Sequence, residues 1–311
     1  MLRFRTSSTP SRYYTQGLIV AMATILVVVG AMLVFLWWAE QAVDDPAEPP
    51  EAPAVEAPPP DEPVAEPQEP LAQSEEPFAE PAEPTDQAGW VRPAYPNEQQ
   101  HNIEQRRRMV EEHLLSRDID NDRVLRAMGR IARHRFVPEE LRQVAYADRP
   151  LPIGHKQTIS QPYIVALMTQ LVEPKPTDRA LDVGTGSGYQ AAVLAEVCAE
   201  VYGIEILEPL AELGANRLAE LGYENATVRH GDGFRGWPEK APFDVIIVAA
   251  APPDVPEPLI EQLAPGGRLV IPVGRHFQHL MRLRKLPDGT IEEEIVLPVR
   301  FVPMTGEAQK R

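Results

Sequence analysis

The chain has 311 residues, with 46 acidic and 30 basic side chains, a net charge of −16 and one cysteine, Cys198. A strongly basic footprint is missing, so the composition predicts no nucleic-acid partner. The one dense basic run, at residues 106–108, is interpreted as a solvated helix face. A single cysteine excludes an internal disulfide and a cysteine metal cluster, and its apolar neighbours predict a buried thiol.

The amino-terminal residues predict a membrane anchor. Residues 1–16 form a tail with three arginines and no acidic residue. Residues 17–38 carry no charge over 22 positions, and as a helix they would span about 33 Å, which matches a bilayer core. A cleaved signal peptide is the alternative, but its apolar region would be shorter and residues 39–42 make a poor cleavage site. A retained single-pass anchor is therefore favoured.

Residues 39–97 are predicted to be a disordered tether. Within this segment, residues 44–87 contain 13 Pro and 14 Asp or Glu but no Lys or Arg. Such a sequence cannot bury a core and repels itself, so it is expected to be extended. Its acids account for most of the negative net charge, and the rest of the chain is nearly neutral.

The charges that flank the anchor predict its orientation. Three arginines precede residues 17–38, and no Lys or Arg follows until Arg92. The positive-inside rule therefore places the amino terminus in the cytoplasm and residues 98–311 on the extracytoplasmic side.

Residues 98–311 have the pattern of one folded domain. Two helices are predicted first, at 100–116 and 121–133, the second capped by Asp120 or Asn121. Strands and helices then alternate, which predicts a doubly wound α/β sheet with N-terminal helices. Strands are expected near 179–183, 200–205, 226–230, 244–249 and 267–273, and helices near 188–197, 209–221 and 255–263.

A glycine-rich stretch after the first predicted strand is the strongest functional signal. The strand runs into Gly184, Gly186 and Gly188, and a turn without side chains lets the backbone approach a cofactor. A dinucleotide fingerprint would need its third glycine at Tyr189, which disfavours NAD and favours S-adenosylmethionine (SAM). Glu205 ends the next strand nineteen residues after Gly186, where a ribose diol would need an acceptor.

Further motifs make a family resemblance specific. They are Gln157-Thr158-Ile159-Ser160-Gln161-Pro162, the loop at 182–189, Gly231-Asp232-Gly233 and the runs at 243–253 and 265–274, extended by the stretches at 135–138, 151–154 and 300–303. Over about residues 105–306, the chain resembles the bacterial form of protein-L-isoaspartate O-methyltransferase. Lys156 stands where that family usually has a glycine, which puts the flexibility of the substrate loop in question.

The resemblance implies a SAM-dependent enzyme of Rossmann-like fold that methylates the α-carboxylate of L-isoaspartyl residues in damaged proteins. Isoaspartyl proteins and peptides would be its partners, and no metal is expected. A carboxylate is already ionised at neutral pH, so no strong general base is needed. The family is normally cytosolic, which conflicts with the orientation predicted from the arginines.

The resemblance also implies roles for individual residues. Ser160 matches the active-site serine, and Thr158 and Ile159 would help to form a lid over cofactor and peptide. The remaining cofactor contacts are expected from Gly184, Gly186, Gly188, Glu205 at the ribose, Asp182 near the methionine end, and Asp232 with Gly233 beside the adenine. No catalytic role is assigned to His155 or His230.

Two alternatives stay open. A SAM-dependent enzyme acting on amino groups would carry an Asn-Pro-Pro-Tyr-like turn after the fourth strand, where this chain has Ala251-Pro252-Pro253-Asp254. A non-enzymatic alternative is a membrane-tethered module that binds SAM as a structural ligand. Turnover on an isoaspartyl peptide would separate an enzyme from such a module.

Overall fold

A computed structural model describes residues 90–91 and 94–310. The predicted anchor at 17–38 and residues 39–89 of the predicted tether lie outside these residues. The prediction of disorder is wrong for the end of the tether, because Trp90 is buried in the domain core and the Tyr95 hydroxyl lies 3.1 Å from His134 Nε2. Within the described part of the chain, none of the helices combines the length and the apolar composition needed to cross a bilayer.

Two α-helices precede the first strand, and four more follow later in the described chain. The described residues form six α-helices: α1 Gln100–Arg108, α2 Asp122–Arg130, α3 Pro162–Leu171, α4 Tyr189–Ala195, α5 Glu208–Glu220 and α6 Glu257–Glu261. A π-helical segment, Met109–Leu115, continues α1. Asn121 caps α2, because its side chain accepts from the backbone N–H groups of Arg123 and Val124. The predicted cap is thereby confirmed.

The central sheet has seven strands in the order β5-β4-β3-β6-β7-β8-β9. The nine described strands are β1 Leu151–Gly154, β2 Gln157–Ile159, β3 Arg179–Val183, β4 Glu200–Glu205, β5 Ala226–His230, β6 Phe243–Val248, β7 Leu263–Val273, β8 Gln278–Lys285 and β9 Ile291–Val299. Strands β3 to β7 pair in parallel, whereas β8 and β9 are antiparallel. Strands β1 and β2 form a separate hairpin.

The parallel strands are apolar because both faces of the sheet are covered. Side chains alternate between the two faces along β3. Ala180 therefore packs into one buried cluster, whereas Leu181 and Val183 pack into a second cluster on the other face. The chain moves outward from β3 to β5 and then returns to β6 on the other side of β3. This reversal creates a switch point at the carboxyl ends of β3 and β6, where ligands bind in such folds.

The predicted α/β fold class is confirmed, with additions. The bounds predicted for β3, β4 and β5 agree with the structure. Helix α3, the β1–β2 hairpin and the antiparallel strands β8 and β9 were not predicted. The second helix ends at Arg130 rather than at residue 133, and a short 3-10 turn, Arg133–Arg135, follows it.

The interpretation of residues 106–108 as a solvated helix face is wrong for Arg106. This side chain is fully buried and pairs with Glu98, whose carboxylate oxygens lie 2.7 and 2.9 Å from its Nη atoms. Its Nε also donates to Gly129 O at 2.8 Å. Arg106 therefore faces the domain, whereas Arg107 and Arg108 lie at the surface near Glu104.

Cys198 is buried, as its neighbours predict. Burial raises the pKa of its thiol to about 12, so the side chain is an uncharged part of the packing.

Candidate active site

A cleft opens at the switch point of the sheet, and we call it the glycine-loop cleft. Its walls come from the loop after β3, the end of β4 and residues 157–160. Predicted site residues in its walls are Thr158, Ile159, Ser160, Gly184, Gly186, Glu205 and Gly233. The structure therefore brings these seven residues together around one space.

Left-handed backbone in the loop after β3 explains its glycines. The φ angles are 83° at Gly184, 52° at Gly186 and 89° at Gly188, a region that side chains disfavour. Gly188 lies outside the cleft wall and begins α4, where an added Cβ would lie 3.2 Å from Gly214 O on α5. Its role in this structure is helix packing rather than direct contact with the cleft.

Glu205 lies at the end of β4 and joins two backbone segments. Its Oε2 accepts from Gly186 N at 2.9 Å, and its Oε1 accepts from Leu207 N at 2.9 Å. A carboxylate has about four acceptor positions, so two remain for a ligand diol. The bond to Gly186 fixes the glycine loop, which is a second function that the sequence did not predict.

Asp182 lies beneath the glycine loop and outside the cleft wall. It is fully buried, and neither carboxylate oxygen has a hydrogen-bond partner among the described residues. Burial raises the pKa of Asp182 to about 7, with a smaller opposing effect of the Thr185 hydroxyl and a further rise from the negative charge of Glu205. The Thr185 hydroxyl itself donates to the backbone oxygen of Asp182 at 3.2 Å. An unpartnered buried carboxyl group is costly, so the site favours a cationic or hydrogen-bonding ligand nearby.

Asp232 also lies outside the wall, although its neighbour Gly233 is part of it. Its Oδ1 accepts from Phe234 N at 3.0 Å and its Oδ2 accepts from Glu307 N at 2.9 Å. The carboxylate thus caps a short 3-10 turn and holds the carboxyl-terminal segment. A contact between Asp232 and adenine stays a prediction.

The substrate loop consists of the β1–β2 hairpin, residues 151–159, and of Ser160, which follows it. Its two central residues, His155 and Lys156, have φ angles of 51° and 58°, as a two-residue type I′ turn requires. Lys156 therefore adopts the backbone conformation that a glycine would adopt with less strain. The hairpin forms with the lysine in place.

A second space, which we call the adjoining groove, meets the glycine-loop cleft at the substrate loop. Both are lined by Thr158, Ser160, Ala249, Val302 and Pro303. Ser160 thus lies where two ligands could meet.

The adjoining groove carries cationic and aromatic side chains. Arg117, Tyr163, Arg300 and Phe301 are among its walls. The Arg117 guanidinium lies 3.2 Å from the Tyr163 ring centroid and donates to Asp148 at 3.2 Å. Arg117 is thus already paired with an acid, and Arg300 is the other described cation in the wall of the groove.

The carboxyl-terminal wall of the cleft was missed by sequence reasoning. Residues 302–305 line it, brought there by a bridge between Ala251 and Pro303. Ala251 N donates to Val302 O at 2.9 Å, and Met304 N donates to Ala251 O at 2.8 Å. These residues are mostly apolar, so only the quoted motif at 300–303 could have indicated them.

The histidines considered in the sequence have no place in the cleft wall. His230 Nε2 donates to Ile206 O at 3.0 Å, which is a structural bond. His155 lies at the tip of the hairpin. Among the described residues, no group of three or more His, Cys, Asp or Glu side chains could hold a metal ion.

The parallel sheet, the glycine loop at its switch point and the acid that ends β4 define a methyltransferase of the Rossmann-like α/β class. The family model of protein-L-isoaspartate(D-aspartate) O-methyltransferase matches residues 104–309. The chain belongs to this family.

Individual relatives agree with the family match. A protein-L-isoaspartate O-methyltransferase of Opitutus terrae is 58% identical over 204 residues, covering 65% of this chain and 88% of the relative. One from Gloeobacter violaceus is 53% identical over 201 residues, covering 64% and 98%. A solved structure described as a putative protein-L-isoaspartate O-methyltransferase from Plasmodium falciparum, in complex with S-adenosyl-L-homocysteine, is 28% identical with a TM-score of 0.57 and covers 67% and 99%.

Proposed function

We propose that this chain transfers the methyl group of SAM to the α-carboxylate of L-isoaspartyl residues in damaged proteins. The observation that carries the proposal is the meeting of the glycine-loop cleft and the adjoining groove at Ser160. The family and the names of its relatives support the same activity. The turn after β6 offers neither an amide nor an aromatic side chain for an amino-group substrate, since it reads Ala251-Pro252-Pro253-Asp254.

The residues of the glycine-loop cleft fit SAM. Glu205 has acceptor positions left for the ribose hydroxyls, and Gly184 and Gly186 leave space for the cofactor against the backbone. Asp182 lies outside the cleft wall, and its buried carboxyl group would act on the ammonium of the methionine end through water. When bound, SAM supplies a methyl group on a positively charged sulfur.

The chain contributes alignment rather than acid–base chemistry. A carboxylate substrate is ionised near neutral pH, so its oxygen can form the new bond to the methyl carbon as the carbon–sulfur bond breaks. We propose that Ser160 donates a hydrogen bond that orients this carboxylate, while Thr158 and Ile159 cover the site and exclude water. The methyl ester then loses methanol when the next backbone nitrogen attacks it, which gives a succinimide.

A pair of peptides tests the proposal. The purified chain, given SAM labelled on its methyl group, should label an isoaspartyl peptide with a base-labile ester and leave its aspartyl twin unlabelled. Ser160→Ala should keep SAM affinity, measured by calorimetry, while turnover falls. Equal labelling of both peptides, or of neither, would contradict the proposed substrate.

For the part of the chain outside the described residues, we propose that residues 17–38 are a membrane anchor and residues 39–89 a disordered tether. Support comes from composition alone: an uncharged run of 22 residues followed by a segment rich in Pro and Glu. The arginines before the anchor favour an extracytoplasmic catalytic domain, with the amino terminus in the cytoplasm.

Protease added to intact spheroplasts tests this arrangement. Cleavage within residues 44–87, with release of an active domain, supports an extracytoplasmic position. Protection until lysis would place the domain in the cytoplasm, where SAM is made. A chain lacking residues 1–43 is the matched control, and it should be recovered without membranes.

A further inference from the structure

Arg133 is a fully buried arginine that contacts two residues of the cleft wall, Ser160 and Tyr189. Its Nη2 donates to the carbonyl oxygen of Ser160 at 2.7 Å, and its Nε donates to Ala145 O at 2.8 Å. Its guanidinium carbon lies 4.7 Å from the ring centroid of Tyr189. Ser160 belongs to the substrate loop and Tyr189 begins the helix after the glycine loop, and both line the glycine-loop cleft.

Arg133 differs from the other buried arginines in its charge partners. Of the three buried arginines in the described part of the chain, Arg106 pairs with Glu98 and Arg268 pairs with Asp178. Arg133 forms no ion pair with a described residue, and its Nη1 has no hydrogen-bond partner there. Burial lowers the pKa of its guanidinium, and the nearby Tyr189, Tyr146 and Asp148 offset this effect only in part.

The hydrogen bond from Arg133 restricts the position of Ser160. Holding a carbonyl group fixes the peptide plane that follows it and so restricts the backbone from which the side chain projects. The two bonds made by Arg133 share one rigid planar fork, which a lysine ammonium cannot reproduce. Loss of the fork would free the substrate loop, whereas the glycine loop would keep its bond from Gly186 N to Glu205.

We propose that Arg133 is a positioning residue for the methyl transfer, which holds the substrate loop so that Ser160 meets the substrate carboxylate. This inference rests on the proposed function for its kinetic test, whereas the position of the loop can be measured without any substrate.

The test compares Arg133→Lys with Arg268→Lys in the full chain. Arg268 is a matched control because its Nε and Nη2 also donate to two carbonyl oxygens, of Val172 and Glu173, each at 2.7 Å. Both changes keep a charge and lose the fork. For Arg133→Lys we expect kcat on an isoaspartyl peptide to fall on the order of tenfold or more, and SAM affinity to fall less than kcat, because Glu205 keeps its bond to Gly186. For Arg268→Lys we expect wild-type kcat in the folded fraction.

Hydrogen exchange of residues 157–161 is the second readout. It should be faster in Arg133→Lys than in the wild type and unchanged in Arg268→Lys. Exchange that is equal in both variants, or an equal loss of kcat in both, would overturn the positioning role. A wild-type chain that is inactive on isoaspartyl peptides would refute the proposed function, and the exchange result would still decide whether Arg133 holds the loop.

Discussion

The carboxylates of Glu205 and Asp182 are both buried, but they differ in hydrogen bonding. Glu205 accepts from two backbone amides, whereas Asp182 accepts from none of the described residues. Both acids were predicted as cofactor contacts, Glu205 because it ends a strand nineteen residues after Gly186 and Asp182 because of the family resemblance. The sequence could not predict which one holds the loop, because that depends on where the backbone of Gly186 turns.

Binding of the ribose by Glu205 can be tested separately from the hydrogen bond between Glu205 and Gly186. Glu205→Ala removes charged hydrogen bonds worth about 1.5 to 3 kcal/mol, so SAM affinity should fall roughly tenfold to a hundredfold. Calorimetry should also compare S-adenosylhomocysteine with its 2′-deoxy analogue. The wild type should prefer the hydroxylated ligand, and this preference should vanish in the variant. If Glu205→Ala still prefers the hydroxylated ligand, another residue binds the ribose.

Asp182 gives the stability of the ligand-free protein a pH dependence. Its pKa is raised from 3.8 to about 7, mainly by burial, so the native state holds a proton that the unfolded state has lost between these values. The stabilising contribution of this group is present below about pH 4 and is lost as the pH rises to 7.

Asp182→Asn keeps the shape and cannot ionise. Urea unfolding at pH 5, 6, 7 and 8 should show the variant gaining stability relative to the wild type up to about pH 7, with a constant difference above it. A difference that does not change with pH would mean that Asp182 titrates at an ordinary pKa.

At the scale of elements, the parallel strands were predictable and the edges were not. Strands β3, β4 and β5 are short apolar runs bounded by turns, and such runs are typical of buried parallel strands. Helix α3 is apolar on most sides, so it shows little helical periodicity. Strand β9 contains three glutamates and Pro298, a composition that disfavours a strand unless it lies at an edge.

The contact of α1 with the domain depends on the pair between Arg106 and Glu98. Glu98→Gln leaves a buried guanidinium without its charge partner, so the free energy of unfolding should fall by about 3 to 5 kcal/mol. Glu104→Gln is the matched control, because its pairs with Arg107 and Arg108 are exposed and each is worth at most about 1 kcal/mol. The free energy of unfolding is measured with urea. Similar decreases in the two variants would show that burial of the Arg106–Glu98 pair adds nothing to stability.

At the scale of the whole molecule, the site is assembled from segments far apart in the sequence. The glycine loop and Glu205 could be placed together because parallel topology brings the carboxyl ends of neighbouring strands to one edge. The substrate loop was predicted from a family motif rather than from its residues. Residues 302–305 and the contact of Arg133 behind Ser160 depend on long-range packing, which local sequence patterns do not encode.

The repair reaction tests the proposed methyl transfer to isoaspartyl residues. The purified chain and SAM are incubated with an isoaspartyl peptide, and chromatography separates the isoaspartyl, succinimide and aspartyl forms over time. We expect the isoaspartyl form to fall, a succinimide to appear transiently and the aspartyl form to accumulate, with little conversion when SAM is omitted. An isoaspartyl peptide that stays unchanged in the presence of SAM and folded chain would rule out the proposed repair function.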